Sequence, residues 1–260
     1  MTGVVVNLNP GAAGAGITED RLLGGRVILR QPADGLRAAI DAVLLAAAVP
    51  ALSGEAVLDI GIGSGAAAFC LARRVPGLRV VGLDIQRDLV RLVAENASLN
   101  GLDDQVSAMV GDLRNPPPRL APASFDHVMA NPPYLEAGAG TLPSNPGRAQ
   151  AVSEGNADLK SWIRFALTMV RNRGTVSFVH RADRLDQLLA ELSGKVGEIT
   201  IYPLWPGQDK PAKRVILRAR RGVATPTRLL PGLTLHLADG SFTAAADAVL
   251  RDARALELDG

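Results

Sequence analysis

The sequence predicts a doubly wound α/β fold: a mostly parallel sheet of seven strands, a short hairpin and helix in front, and a small strand-and-helix appendage behind. Three observations predict it. Short, largely apolar runs at 56–60, 79–84, 106–110 and 125–130 have strand length, and 56–60 is apolar at every position but Asp59, as expected of a strand covered on both faces. Helical patterns at 66–74 and 87–100 separate the first three runs, giving the alternation that builds a parallel sheet. Glycines and acids cluster where these strands end, the edge at which such sheets bind ligands.

Residues 1–16 are rich in Gly and Ala without a period, and are expected to fray. A hairpin follows over 22–32, turning at Gly24-Gly25. A helix over 37–49 places Ile40, Val43, Leu44 and Ala47 on one face and is closed by Pro50. Strand 56–60 leads through Gly61-Ile62-Gly63-Ser64-Gly65 into helix 66–74, and strand 79–84 into helix 87–100, with Gly101 as its C-cap. Strand 106–110 ends in Gly111-Asp112. Strand 125–130 stops at Asn131-Pro132-Pro133-Tyr134, because neither proline can donate a ladder hydrogen bond. Residues 136–156 form a long Gly/Pro/Ser-rich loop, of a length expected in a lid or a disordered segment. Helix 159–171, strand 175–179, helix 182–192 and strands 198–202 and 214–218 complete the repeat. The tail reads as a strand over 233–237, a turn at Asp239-Gly240 and a helix to about 256. The expected division is an extension over 1–35, the main domain over 36–222 and the appendage over 223–260.

Composition narrows the function classes. With a single cysteine, Cys70, no intrachain disulfide framework is possible, and three scattered histidines make a zinc site an unfavoured reading. The net charge of +2 is too small to imply a polyanion partner by itself, so the clustering of basic residues decides that question. No apolar stretch is long enough to span a bilayer, and the N-terminus lacks a charged region followed by an apolar core. The expectation is a soluble, cytoplasmic protein without metal or membrane partner; the oligomeric state is left open.

The chemistry-bearing residues fall on strand carboxyl ends. Glycines at 61, 63 and 65 let backbone amides approach a ligand closely. Asp84, ending the second strand, is placed to accept both hydroxyls of a ribose. Two readings compete for this loop. A dinucleotide site prefers G-x-G-x-x-G around a pyrophosphate. Here the spacing is G-x-G-x-G with Asp59 two residues before the first glycine, an acid that repels a pyrophosphate but suits an ammonium group, such as that of S-adenosylmethionine (SAM). Asp112 would then reach the adenine amino group, with Ile85 and Leu113 beside the same ligand. The stiff Asn131-Pro132-Pro133-Tyr134 corner supplies an amide oxygen, a carbonyl and an aromatic ring, which together suit a planar NH2 group.

The pairing of Asp59-Ile60-Gly61-Ile62-Gly63-Ser64-Gly65 with Asn131-Pro132-Pro133-Tyr134 resembles the class I SAM-dependent methyltransferases that modify amino groups, whose fold is Rossmann-like. More narrowly, Asp41-Ala42-Val43-Leu44-Leu45 and Lys213-Arg214-Val215-Ile216-Leu217 are similar to the bacterial tRNA(Val) adenine-N6 methyltransferases, which modify the adenine beside the anticodon. The resemblance implies an N-methyltransferase acting on adenine N6 in structured RNA. It assigns Asn131, Pro132, Pro133 and Tyr134 to catalysis, and Asp59, Gly61, Gly63, Gly65, Asp84, Ile85, Asp112, Leu113 and Asn131 to SAM. It also implies that Asp41 borders the SAM pocket.

Alternatives stay open. A glutamine side-chain amide presents the same NH2 to the corner, so protein glutamine-N5 methylation is the runner-up. Guanine-N2 methylation of ribosomal RNA and an inactive RNA-binding module are further readings. Basic residues at 26–37 and 210–221 are candidates for an RNA backbone, weighed equally against a solvated, charge-protected edge strand. Cys70, His127 and Trp162 read as core, His180 as a strand cap, and Trp205 as loop packing that could stack a base beside Lys210.

Overall fold

The computed structural model describes residues 16–33, 40–133 and 157–259. The expected frayed terminus over 1–15, the loop over 136–156, Arg37 and Tyr134 lie outside the described residues. In chain order the elements are β1 (Ile17–Leu22), β2 (Val27–Pro32), α1 (Ile40–Ala48), β3 (Ala56–Ile60), α2 (Ala66–Arg74), β4 (Arg79–Asp84), α3 (Arg87–Asn100), β5 (Val106–Val110) and β6 (Phe125–Ala130). There follow α4 (Leu159–Met169), β7 (Val170–Arg181), α5 (Leu185–Leu192), β8 (Val196–Trp205), β9 (Arg214–Arg221), β10 (Arg228–Leu229), β11 (Leu233–Thr234) and α6 (Ala244–Leu250).

The central sheet has the order β5-β4-β3-β6-β7-β9-β8. Its first five strands are parallel, and β9 is antiparallel to both β7 and β8. The two-residue strands β10 and β11 both pair with β8. Consecutive residues of each strand feed opposite layers, as the pleat requires. Val57, Met129, Val179 and Ile216 join the layer of α1, α2 and α3. Leu58, Val128, Phe178 and Leu217 join that of α4 and α5. Cys70 sits in the first layer, where burial pushes its thiol up to about 12.

Several boundaries differ from the sequence reading. Helix α4 ends at Met169 and β7 begins at Val170, pairing with Phe125 before a register shift to His127 and Thr175. The tail strand is confined to Leu233–Thr234, and α6 ends at Leu250 rather than near 256. Leu256 and Leu258 alternate with exposed residues, so their period is that of extended chain, and the Leu256 N–H donates 2.9 Å to the Ala47 carbonyl. These leucines share one buried cluster with α1, α2 and Leu23, Val27 and Leu29 of the hairpin region.

The hairpin is held to α3 by two asparagines one turn apart. Asn100 accepts from the Ile28 N–H at 2.8 Å and donates to its carbonyl at 2.6 Å. Asn96 does the same for Arg30, at 2.9 and 2.8 Å. Side-chain amides thus substitute for a third strand along the free edge of β2. At the amino edge of the sheet, His127 bridges Thr175 Oγ1 (2.7 Å) and Glu55 Oε2 (2.9 Å), while Asp126 accepts from the Ala56 N–H at 2.8 Å and from Arg171 at 2.6 Å. No helix among the described residues is long and apolar enough to cross a membrane.

Candidate donor cradle and amine corner

Strand order decides where the site is. After β3 the chain steps outward through β4 and β5, then returns to place β6 on the other side of β3. Ligands bind where the winding reverses, outside the carboxyl ends of the two neighbouring strands. Ile60 and Ala130 are direct partners across that boundary, so Gly61 and Asn131 are the next residues out on either side of it. The glycine loop and the Asn-Pro-Pro corner, 70 positions apart in sequence, are brought together by this one crossover.

Three left-handed residues build the loop: Gly61 at φ 68°, Gly63 at φ 58° and Gly65 at φ 94°. Each has a separate reason to be glycine. A Cβ on Gly61 would stand 2.5 Å from the Trp162 ring, and one on Gly65 would stand 2.4 Å from Phe69. Gly63 meets nothing within 4 Å, so its open side is available to a ligand. The Gly61 and Ile62 N–H groups both donate to the Leu83 carbonyl, at 2.7 and 3.2 Å, which ties the loop to β4. Ile62 in turn occupies the space left by Gly82, whose Cβ would meet Ile62 Cδ1 at 2.2 Å. Helix α2 starts from Gly65 with no side-chain cap, which leaves first-turn N–H groups facing the loop.

Acids line this cradle. Asp59 is buried, and its Oδ2 has no hydrogen-bond partner among the described residues. Burial, reinforced by the charge of Asp84, pushes its carboxyl well above the usual carboxylate range. An orphaned buried carboxylate oxygen carries a desolvation cost that an incoming ammonium would offset. Asp84 accepts from the Gly63 N–H through Oδ2 and from the Gln86 N–H through Oδ1, both at 2.9 Å. Burial raises its carboxyl as well, opposed by those backbone donors and by Ile85. Lone-pair positions that these backbone donors do not use are left for other donors. Ile85, 39% exposed, offers an apolar face beside Asp84. These residues fit SAM: a carboxylate for the ammonium, an acid for hydroxyls and an open glycine between them.

The remaining predicted residues are arranged less simply. Asp112 follows β5, and its carboxylate is gripped by Arg114, with Nη2 2.7 Å from Oδ2. That pairing holds its carboxyl below the usual range. Leu113 is half-buried against the α4 and α5 layer. Asp41, in the first turn of α1, accepts from Arg214 Nε at 3.0 Å, linking α1 to the start of β9. Asn131 is exposed at the rim, Pro132 is buried and Pro133 half-buried.

Basic residues divide by strand direction. Because β9 is antiparallel, Arg214 begins at the rim of Asn131 and the strand then runs away from it. Arg218 is buried against Asp259, and Arg221 donates to the Val170 carbonyl at the far edge. Of the basic residues over 210–221, Lys210, Lys213 and Arg214 stand near the rim, while Arg218 and Arg221 are carried away from it. In the hairpin, Arg26 is bound to the Arg251 carbonyl and Arg30 lies 3.7 Å from Glu19.

Two contributors escaped the sequence reading. Trp162 is buried in the core as the sequence predicts, but its ring also forms the floor under Gly61, and its Nε1 has no hydrogen-bond partner among the described residues. Asn96 carried no motif at all, although a second asparagine four residues on, at 100, was a sign that one face of α3 meets backbone rather than solvent.

Comparison with known proteins places the chain beside methyltransferases in sequence and in fold. Residues 57–140 match the family model described as a methyltransferase domain. The chain is 26% identical over 211 residues to the tRNA1(Val) (adenine(37)-N6)-methyltransferase of Aeromonas hydrophila, covering 80% of this chain and 86% of that protein. It is 29% identical over 140 residues to the release factor glutamine methyltransferase of Aliivibrio fischeri, covering 52% and 48%. Among solved structures, a predicted O-methyltransferase from Agrobacterium tumefaciens, Atu636, superposes with a TM-score of 0.68 at 22% identity, covering 83% of this chain and 97% of that one, a likeness of fold.

Proposed function

We propose that this chain, a SAM-dependent methyltransferase, methylates the exocyclic N6 amine of an adenine in structured RNA, a tRNA near its anticodon. The observation that carries the reading is the adjacency of Asn131 to Gly61 across the point where the strand order reverses. It sets an exposed amide and a proline carbonyl at the mouth of the donor cradle. Relatives named as tRNA1(Val) adenine-N6 methyltransferases support the substrate class.

Bound SAM supplies an electrophilic methyl group on sulfur. The chain's own contribution is orientation. Asp59 would hold the ammonium end, Asp84 the ribose hydroxyls, and the backbone at Gly63 would admit the ligand. On the other side, the Asn131 amide oxygen and the Pro132 carbonyl would accept hydrogen bonds from the two N–H groups of the adenine amine. Those bonds favour a tetrahedral nitrogen with its lone pair directed at the methyl group, rather than one conjugated with the ring. Tyr134 would stack on the base, which is worth about 1–3 kcal/mol. Such a pocket takes only an unstacked base, so the target lies in a loop or is flipped.

A second reading, methylation of a glutamine side-chain amide in a protein, has support from relatives named as release factor glutamine methyltransferases. Incubation with methyl-labelled SAM and, separately, tRNA, ribosomal RNA and release factor separates the two. Nucleoside analysis should find the label in N6-methyladenosine from the tRNA sample. Label confined to the release factor overturns the adenine reading.

A further inference from the structure

Three strands along the rim from Asn131 lies a second opening that the methyl-transfer site does not use. β8 runs parallel to β7, since both are antiparallel to β9, so its last residue, Trp205, emerges on the same edge of the sheet as Asn131. The order β6-β7-β9-β8 puts it about 14 Å away, at roughly 4.8 Å per strand. Here a groove of about 430 Å³ is walled by Trp205 and Thr234 on one side and by the turn over 207–211 on the other. That volume is within the range of about 300–1,000 Å³ typical of sites for small organic groups.

The groove is built rather than incidental. Trp205 donates through Nε1 to the Pro231 carbonyl at 2.9 Å, which fixes the plane of the indole. The C-terminal strand β11 comes alongside, pairing Thr234 with Trp205. That approach needs glycine at 232, where φ is +83° and a Cβ would stand 2.1 Å from the Pro203 carbonyl oxygen. On the opposite wall the stem of Lys210 lies over Gly207, 3.5 Å from where a Cβ would be.

We infer that this groove is a second nucleobase subsite, taking an unpaired base of the same RNA whose adenine enters at Asn131; the inference rests on the RNA reading above. Its chemistry matches a base rather than a phosphate. An indole gives a stacking surface. The Gln208 amide and the Asp209 carboxylate line the groove and suit the N–H-bearing edge of a heteroaromatic ring, whereas Asp209 would repel a phosphate inside it. Lys210 and Lys213 are exposed, and neither belongs to an ion pair among the described residues. They are placed to meet the phosphates that join the two bases. A base held here would fix the strand on both sides of the rim and decide which RNA loops present their adenine correctly.

Two measurements on the full chain test this. Trp205→Leu should raise KM for tRNA about tenfold, with kcat and the SAM Kd unchanged, while Trp205→Phe, which keeps the ring and loses the bond to Pro231, should recover most of the affinity. Independently of turnover, titration with tRNA should quench tryptophan emission in the wild type and not in Trp205→Leu, where Trp162 remains as an internal reference. A wild-type KM in Trp205→Leu overturns the subsite and leaves the RNA reading standing. Equal weakening in the Phe and Leu variants overturns it too, because the indole would then serve only as a tie to the C-terminal segment. If no RNA is methylated and no quench occurs, both readings fall; if methylation persists without a quench, only the subsite does.

Discussion

Asn96 donates from Nδ2 to the carbonyl oxygen of Ser64 at 3.0 Å while the same amide holds both backbone groups of Arg30. One fully buried side chain on α3 therefore joins the glycine loop to the N-terminal hairpin. Asn100 provides a control, since it makes the equivalent pair of bonds to Ile28 and none to the loop. Asn96→Ala and Asn100→Ala should each destabilise the protein, by roughly 1–3 kcal/mol for the polar groups left unpaired. Only Asn96→Ala should also weaken SAM, by about tenfold, or about 1.4 kcal/mol. Urea unfolding and calorimetric titration measure the two effects, and equal SAM affinities would reduce Asn96 to a hairpin clamp.

Asp59 should behave as a residue kept for its ligand at the expense of stability. Its folded pKa is raised, so the folded chain holds a proton that the unfolded chain has released. The sign follows: stability is fully present below the unfolded value of about 3.9 and is lost as pH rises through the folded one. Asp59→Asn removes that loss without changing shape. At neutral pH, without SAM, the variant should melt several degrees above the wild type. It should also gain far less from added SAM, which thermal melts with and without the ligand would reveal. A variant stabilised by SAM as strongly as the wild type would exclude Asp59 from ammonium binding.

Asn131 is exposed at the rim, one residue beyond the Ile60–Ala130 pair. Asn131→Ala is expected to lower kcat by about 10²–10³-fold, the scale of losing one preorganised transition-state partner. SAM affinity should stay within about twofold, since the role proposed for Asn131 is to accept a hydrogen bond from the amine. A parallel loss of SAM binding would place its amide on the donor instead.

His127 lies at the opposite edge and should control acid stability rather than turnover. Burial lowers its pKa, opposed by Glu55 and Asp126, with Arg171 adding to the lowering. A histidine kept neutral in the fold takes up its proton on unfolding, so stability should fall as pH drops below the unfolded value of about 6.5. His127→Gln should flatten denaturant midpoints measured between pH 7 and pH 5. An unchanged slope would mean that other groups dominate that range.

The strands and helices between 56 and 130 were legible because local pattern and tertiary demand agree there, whereas β1 (Ile17–Leu22) lies ahead of the hairpin that the sequence predicts over 22–32. The bounds of β3, α2, β4, α3, β5 and β6 follow from runs whose apolar period, turn glycines and prolines all point to the same structure. The tail was not legible in that way. The pattern there predicts a helix to about 256, but the chain leaves the helix at Leu250, and Leu256 docks against Ala47 with Leu258 buried beside it at the two-residue period of extended chain.

What the sequence determined by itself is the chemistry: which acids, glycines and prolines end which strands, and so which ligand groups they suit. What tertiary structure decided is adjacency and availability. Return of the chain to the far side of β3 put Asn131 beside Gly61, and the reversed direction of β9 carried Arg218 and Arg221 away from both. Pairing with Arg114 engaged Asp112, and among the described residues no partner came to Asp59 Oδ2. Residue type fixes what a side chain can bond, whereas strand order and direction fix which partners come within bonding distance, and no local pattern carries that information.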